Sequence, residues 1–194
     1  MQPTRTLTAH CTLSHPADGQ PLLTINNEHA RAEISLFGAH VLRYQRHGEP
    51  ASLWLSDKAV LDGSKPIRGG IPLCWPWFGP APARVGSGKP AHGFARTSLW
   101  TLDGVSDHGD GTLVHLSLRD TAASRALWPH AFELELDVLV GKELSLVLTT
   151  RNTGKTPLTY NAALHTYLQI SAPEAVSVTG LGEPYADKLT GQDG

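Results

Sequence analysis

AFELELDVLVGKELSLVLTTRN, residues 131–152, decides the fold. Phe132, Leu134, Leu136, Val138 and Val140 alternate with Glu133, Glu135 and Asp137, the period of two expected where one strand face is buried and the other is wet. Gly141 and Lys142 interrupt the run, and Leu144, Leu146 and Leu148 resume it. Two alternating runs on either side of a two-residue break read as an antiparallel hairpin.

The same pattern extends outward in both directions. TLVHLSLRD (112–120) sets Val114, Leu116 and Leu118 against His115, Ser117 and Arg119. Before it, SLWTLDGV (98–105) has strand character and SDHGDG (106–111) reads as a turn-rich break. Nearer the N-terminus, PLLTI (21–25), ARAEISLF (30–37) and AHVLRYQR (39–46) read as strands, HGEP as a reversal, and SLWLS (52–56) as a further short strand. Downstream, NTGKTP (152–157) turns into LTYNAALHTYLQI (158–170), read as a buried strand, and AVSVTG (175–180) closes the series. Only DTAASRALWP (120–129) suits a helical turn, which Pro129 stops. Residues 1–20 are polar and irregular, and a loosely held terminus is expected there. The chain as a whole, 1–194, reads as one all-β antiparallel sandwich domain.

Composition narrows the function. At 194 residues with 40% hydrophobic and 18% charged residues, the chain can bury one sizeable core and is not a disordered protein. A formal net charge of -2 supplies no basic field for nucleic acid or an anionic membrane surface. No apolar run reaches membrane-spanning length, and the N-terminus lacks the apolar core of a signal peptide, so the cytoplasm is the expected location. Cys11 and Cys74 stand alone and the ten histidines are scattered, so neither a disulfide framework nor a metal site is expected. No G-x-S-x-G elbow, Walker loop or H-E-x-x-H is present.

Chemistry is concentrated in a long loop, DGSKPIRGGIPLCWPWFGPAPARVGSGKPAHGFAR (62–96), and in the strand around His165. A long loop that is aromatic and carries fixed cations is the usual form of a binding loop. Arg68 and Arg96 have the guanidinium fork that grips phosphate or carboxylate, or else form surface salt bridges. His92 either approaches a ligand beside Gly93 or anchors the loop. Trp75, Trp77 and Phe78 either make a platform for a sugar's C–H face or are core under the loop. His165 is either a core histidine satisfied by a backbone group or a general acid, since imidazole titrates near working pH.

Taken together, DGSKPIRGGIPLCWPWFG, AHGFAR, LHTYLQI and VTGLGEPYADKL closely resemble the hexose-6-phosphate mutarotases, the glucose-6-phosphate 1-epimerase branch of the aldose 1-epimerase family. The resemblance runs from about residue 30 to the end. It implies a β supersandwich of the galactose-mutarotase type, working without metal or organic cofactor on the α and β anomers of a hexose 6-phosphate. It implies His165 as general acid, Arg68 and Arg96 as phosphate holders, and His92 lining the same pocket; Trp75 is the aromatic expected to contact the substrate. Family members run longer, and their general base is a glutamate in that later part. No equivalent is found here; Glu183 and Asp187 are the nearest acidic residues, and no motif maps them onto the base. The sandwich is therefore expected to be incomplete at its C-terminus, with unpaired edge strands open to self-association and little turnover by this chain alone. The rival expectations are a non-catalytic sugar-phosphate binding module, an inactive fragment lacking the base, or an interaction fragment with no ligand.

Overall fold

The computed structural model describes residues 2–180 and 190–191. Five strands follow one another as an antiparallel meander: β1 (Gln2–Thr6), β2 (Cys11–His15), β3 (Leu22–Asn26), β4 (Ala30–Ser35) and β5 (His40–Arg46). After the long loop, which holds the two-residue β6 (Leu73–Cys74) and two 3-10 turns (Ala83–Val85 and Ala95–Thr97), come β7 (Thr101–His108), β8 (Gly111–Arg119), helix α1 (Ala122–Leu127), β9 (Phe132–Gly141) and β10 (Leu144–Asn152). Strands β7 to β10 form a second antiparallel sheet in the order β10-β9-β8-β7. A third, two-stranded ribbon pairs β6 with β11 (Ala163–Leu164).

The hairpin expected over 131–152 forms in unbroken register from Leu144↔Val140 to Asn152↔Phe132. Its reversal falls at Lys142 and Glu143, one residue later than expected, because Gly141 stays in the strand. The alternating apolar residues of β9 are all buried, and they pack with Leu23, Ile25 and Ile34 of the first sheet in one core. Two buried polar ties join the sheets. The Asn27 Nδ2 donates to the carbonyl of Val140 at 2.8 Å and to Thr112 Oγ1 at 3.1 Å, and the Tyr44 hydroxyl donates to the carbonyl of Gly141 at 2.9 Å. Each satisfies groups that would otherwise be buried without partners. Thr121 caps α1 in a reciprocal box with Ser124, and Pro129 follows its end at Trp128, as expected.

Five expectations change. Residues 2–15 are not loose but supply β1 and β2, where Cys11 and Leu13 enter the core; two apolar residues are too few to display a period. β7 runs on to His108, so the expected turn shrinks to its last residues. SLWLS makes only isolated bridges, Leu53 to Leu168 and Leu55 to Gly69. LTYNAALHTYLQI is not a buried strand: only Ala163 and Leu164 pair in a ladder, while Tyr160, Leu168 and Ile170 are exposed. AVSVTG likewise forms no strand; it follows a 3-10 turn (Pro173–Ala175) with Val176 and Val178 exposed. These stretches carry enough apolar residues to read as strands, but among the described residues no sheet covers them. Glu183 and Asp187 lie outside the described residues.

Candidate active site

The site is assembled from three irregular stretches that hydrogen-bond side by side. The His165 amide donates to the carbonyl of Pro72, the Tyr167 amide to Gly70, and the Trp54 amide to Tyr167. The loop then folds back, so that Trp75 bridges Gly93 and both Phe94 and Ala95 donate to the Trp75 carbonyl. Glycine is required at that crossing: a Cβ on Gly93, whose φ is +68°, would stand 1.9 Å from the Trp75 carbonyl oxygen.

His165 and His92, more than seventy residues apart in the chain, are brought together. Their ring centroids lie 6.3 Å apart, close to perpendicular. Phe78 lies 5.0 Å from His92 and 5.9 Å from His165, and Tyr167 lies 4.9 Å from His165. Trp54 continues the row at 5.8 Å from Tyr167. His92 sits at φ +66°, a conformation that side-chain-bearing residues rarely adopt. It is held there by a 2.7 Å bond from its amide to the Gly79 carbonyl and by the Gly79 amide, which donates to Nδ1 at 3.1 Å. An accepting Nδ1 places the proton of the neutral ring on Nε2. Asn161 braces the same corner: its Oδ1 accepts from the Phe78 amide at 2.6 Å and its own amide donates to Pro76. The Nδ1 of His165 is buried and has no hydrogen-bond partner among the described residues.

Arg96 is half-buried, with Nη2 donating to the Ala91 carbonyl at 3.0 Å and Nε buried without a partner. Its charge reaches Cys74: burial pushes that thiol up, and Arg96 pulls it partway back. Cys74 stands opposite Ala163 in the ribbon, two residues before His165, and the Arg96 guanidinium rests on the Ala91 carbonyl, next in the chain to His92. Arg68 is exposed and stands two residues along the chain from the Gly70 carbonyl that receives the Tyr167 amide.

Trp75 does not fit the sugar-facing role expected of it. It is 0% exposed and packs against Phe132 at 4.6 Å, Trp128 at 5.1 Å and Phe94 at 5.7 Å, so its ring belongs to the core beneath the loop. Trp77 is buried as well, and Phe78 is the aromatic of that string that turns outward, at 39% exposure. Tyr167 and Trp54 were missed by the sequence reading, although the alternation through 163, 165 and 167 carries the signal for Tyr167. Both cysteines are buried, and burial pushes both thiols up, that of Cys11 to about 11. Among the described residues, no group of three His, Cys, Asp or Glu could hold a metal ion, and no helix is long and apolar enough to cross a membrane.

Comparison with known proteins meets this geometry. The family described as Aldose 1-epimerase matches residues 21–191. This chain belongs to the aldose 1-epimerase family. An Escherichia coli (strain K12) member, provisionally named a glucose-6-phosphate 1-epimerase, is 37% identical over 172 residues, covering 89% of this chain and 56% of its own length. A Salmonella typhimurium crystal structure (YeaD), provisionally termed a mutarotase, superposes with a TM-score of 0.91 at 32% identity over 99% of this chain and 63% of that one. A galactose mutarotase-like protein of Lactobacillus casei ATCC 334, 23% identical with a TM-score of 0.55 over 70% of this chain and 45% of that one, shares the fold. This aldose 1-epimerase family chain is thus part of a galactose-mutarotase-like sandwich, and it spans about half the length of the curated relatives it matches.

Proposed function

We propose that this chain supplies the acid and the phosphate-holding side of a site that interconverts the α and β anomers of a hexose 6-phosphate such as glucose 6-phosphate. The observation that carries the reading is the meeting of His165 with His92, 6.3 Å apart between rings, with the Arg96 guanidinium on the carbonyl of Ala91 beside His92 in the chain.

Anomer exchange needs a proton delivered to the ring oxygen while the C1 hydroxyl gives one up. The open aldehyde rotates about C1–C2 and recloses on its other face. His165 suits the delivery: its ring is fixed by backbone hydrogen bonding and by Tyr167, not by a bond to Nδ1, so the imidazole is left for proton transfer. His92, with its proton on Nε2, suits a sugar hydroxyl. Phe78 and Tyr167 supply apolar faces for sugar C–H groups. Arg96 and Arg68 would hold the phosphate and so orient the sugar, without touching the reacting bond. The His–carboxylate pairs among the described residues, His29 with Glu28 and His115 with Asp137, lie outside this cluster, and the base is assigned to none of these residues.

Nuclear magnetic resonance tests the reading in two steps. Glucose 6-phosphate is expected to shift the His165 and His92 ring signals at concentrations where glucose does not. Any α–β exchange the chain catalyses is expected to vanish in His165→Ala. Failure to bind glucose 6-phosphate sinks the sugar-phosphate reading, and exchange that persists in His165→Ala sinks the acid assignment.

A further inference from the structure

Between the two arginine segments sits a histidine with no part in the chemistry above. His40 opens β5 and is 0% exposed. Its Nε2 lies 2.7 Å from the Gly69 carbonyl oxygen, which can only accept, so Nε2 carries the proton and Nδ1 is the acceptor of a neutral ring. That Nδ1 is buried with no partner among the described residues, as is Nε of Arg96. Burial is the main cause holding the imidazole down at about 4, and the Arg96 charge acts in the same direction.

The packing around His40 is tight on both sides. A Cβ on Gly70 would stand 3.0 Å from His40 Nε2 and 2.3 Å from the Val41 carbonyl oxygen. On the other side the Gly38 amide donates to Ser98 at 2.7 Å, and a Cβ on Gly38 would stand 2.6 Å from the Arg96 carbonyl oxygen. Residues 38–41 therefore touch both arginine segments, and the His40 side chain grips the first of them one residue from Arg68.

We propose that His40 is a positioning residue that fixes the Arg68 and Arg96 segments relative to one another, so that both guanidinium groups are presented to a single sugar phosphate. The ligand half of this statement rests on the function proposed above; the fixing of the segments does not. Removing the imidazole leaves the Gly69 carbonyl buried and unpaired, and the loop then relaxes to find another donor.

The test compares His40→Leu, which fills the space without a donor, with His40→Gln, whose amide can replace Nε2–H. Amide hydrogen exchange across residues 66–72 and affinities for glucose 6-phosphate and for glucose are measured on the same samples. His40→Leu is expected to speed exchange in that segment and to weaken glucose 6-phosphate about tenfold while leaving glucose unchanged. His40→Gln is expected to restore both. Unaltered exchange, equal loss for both sugars, or no rescue by glutamine overturns the proposal. If the wild-type chain binds no glucose 6-phosphate yet the exchange and its rescue behave as stated, the sugar-phosphate reading fails while the fixing of the segments stands. Should His40→Leu not fold, the wild-type nitrogen spectrum decides: the Nε2–H tautomer at neutral pH supports the proposal, and an Nδ1–H tautomer or a charged ring overturns it.

Discussion

At the scale of single residues, the chemistry divides between groups that meet a ligand and groups that hold them. Arg96→Ala removes the guanidinium that rests on the Ala91 carbonyl and is expected to weaken glucose 6-phosphate by about tenfold or more while sparing glucose, read by calorimetric titration; equal losses would remove the phosphate role. His40 gives a pH signature independent of ligand. Its pKa is held near 4 in the folded chain against 6.5 for the free side chain, so the unfolded chain binds this proton at a higher pH than the folded one. The folded state is unaffected by this group above pH 6.5, loses stability as the pH falls toward 4, and has lost about 3 kcal/mol below that. Chemical denaturation from pH 7 to pH 4 is expected to show this decline, and His40→Gln to flatten it. Histidine 40 was illegible in the sequence because a lone His between Ala39 and Val41 matches no motif. His165, His92 and the arginines were legible because each sits in a distinctive string. The fate of Trp75 was not: a tryptophan beside a loop histidine has the same composition whether its ring points to a ligand or into the core, and only the packing with Phe132 and Trp128 separates the two.

At the scale of elements, strands that alternate over four or more positions were readable, and short ones were not. β9 has five inward apolar residues and appears where its period places it, whereas β2 offers only Cys11 and Leu13, too few to show a period. Leu136→Ala in β9 is expected to cost about 3 kcal/mol by urea denaturation, because the fully buried site cannot collapse around the lost atoms. The binding loop has no period at all, and its shape is set by backbone contacts that a sequence does not display. Gly93→Ala tests them: the new methyl would collide with the Trp75 backbone, which cannot move aside as a side-chain tip would. The variant is expected to lose the His92–His165 approach, seen as loss of ring-to-ring nuclear Overhauser contacts, with β9 and β10 amides unshifted. Retention of those contacts would mean that the crossing is looser than the geometry implies.

At the scale of the whole molecule, the two large sheets close well on each other but not on every side. β10 is a regular strand of nine residues that ends its sheet, and one flank of it has no strand beside it among the described residues. Such an edge is a template for pairing with another chain, and natural edges are commonly blunted by lysine or proline, neither of which occurs within Leu144–Asn152. Val147 on its outer face is 55% exposed, and Leu168 and Val178 add apolar surface at 65% and 69% exposure. The 194-residue chain is therefore expected to self-associate reversibly as its concentration rises, with two β10 edges pairing across a twofold axis as the commonest closed arrangement. Sedimentation velocity over a concentration series reads this directly. Val147→Lys places two like charges near that axis and is expected to shift the equilibrium back to monomer without changing the folded spectrum. A sedimentation coefficient that stays monomeric across the series, or that Val147→Lys does not alter, would place the association elsewhere or nowhere, and would leave the β10 edge protected by its own twist.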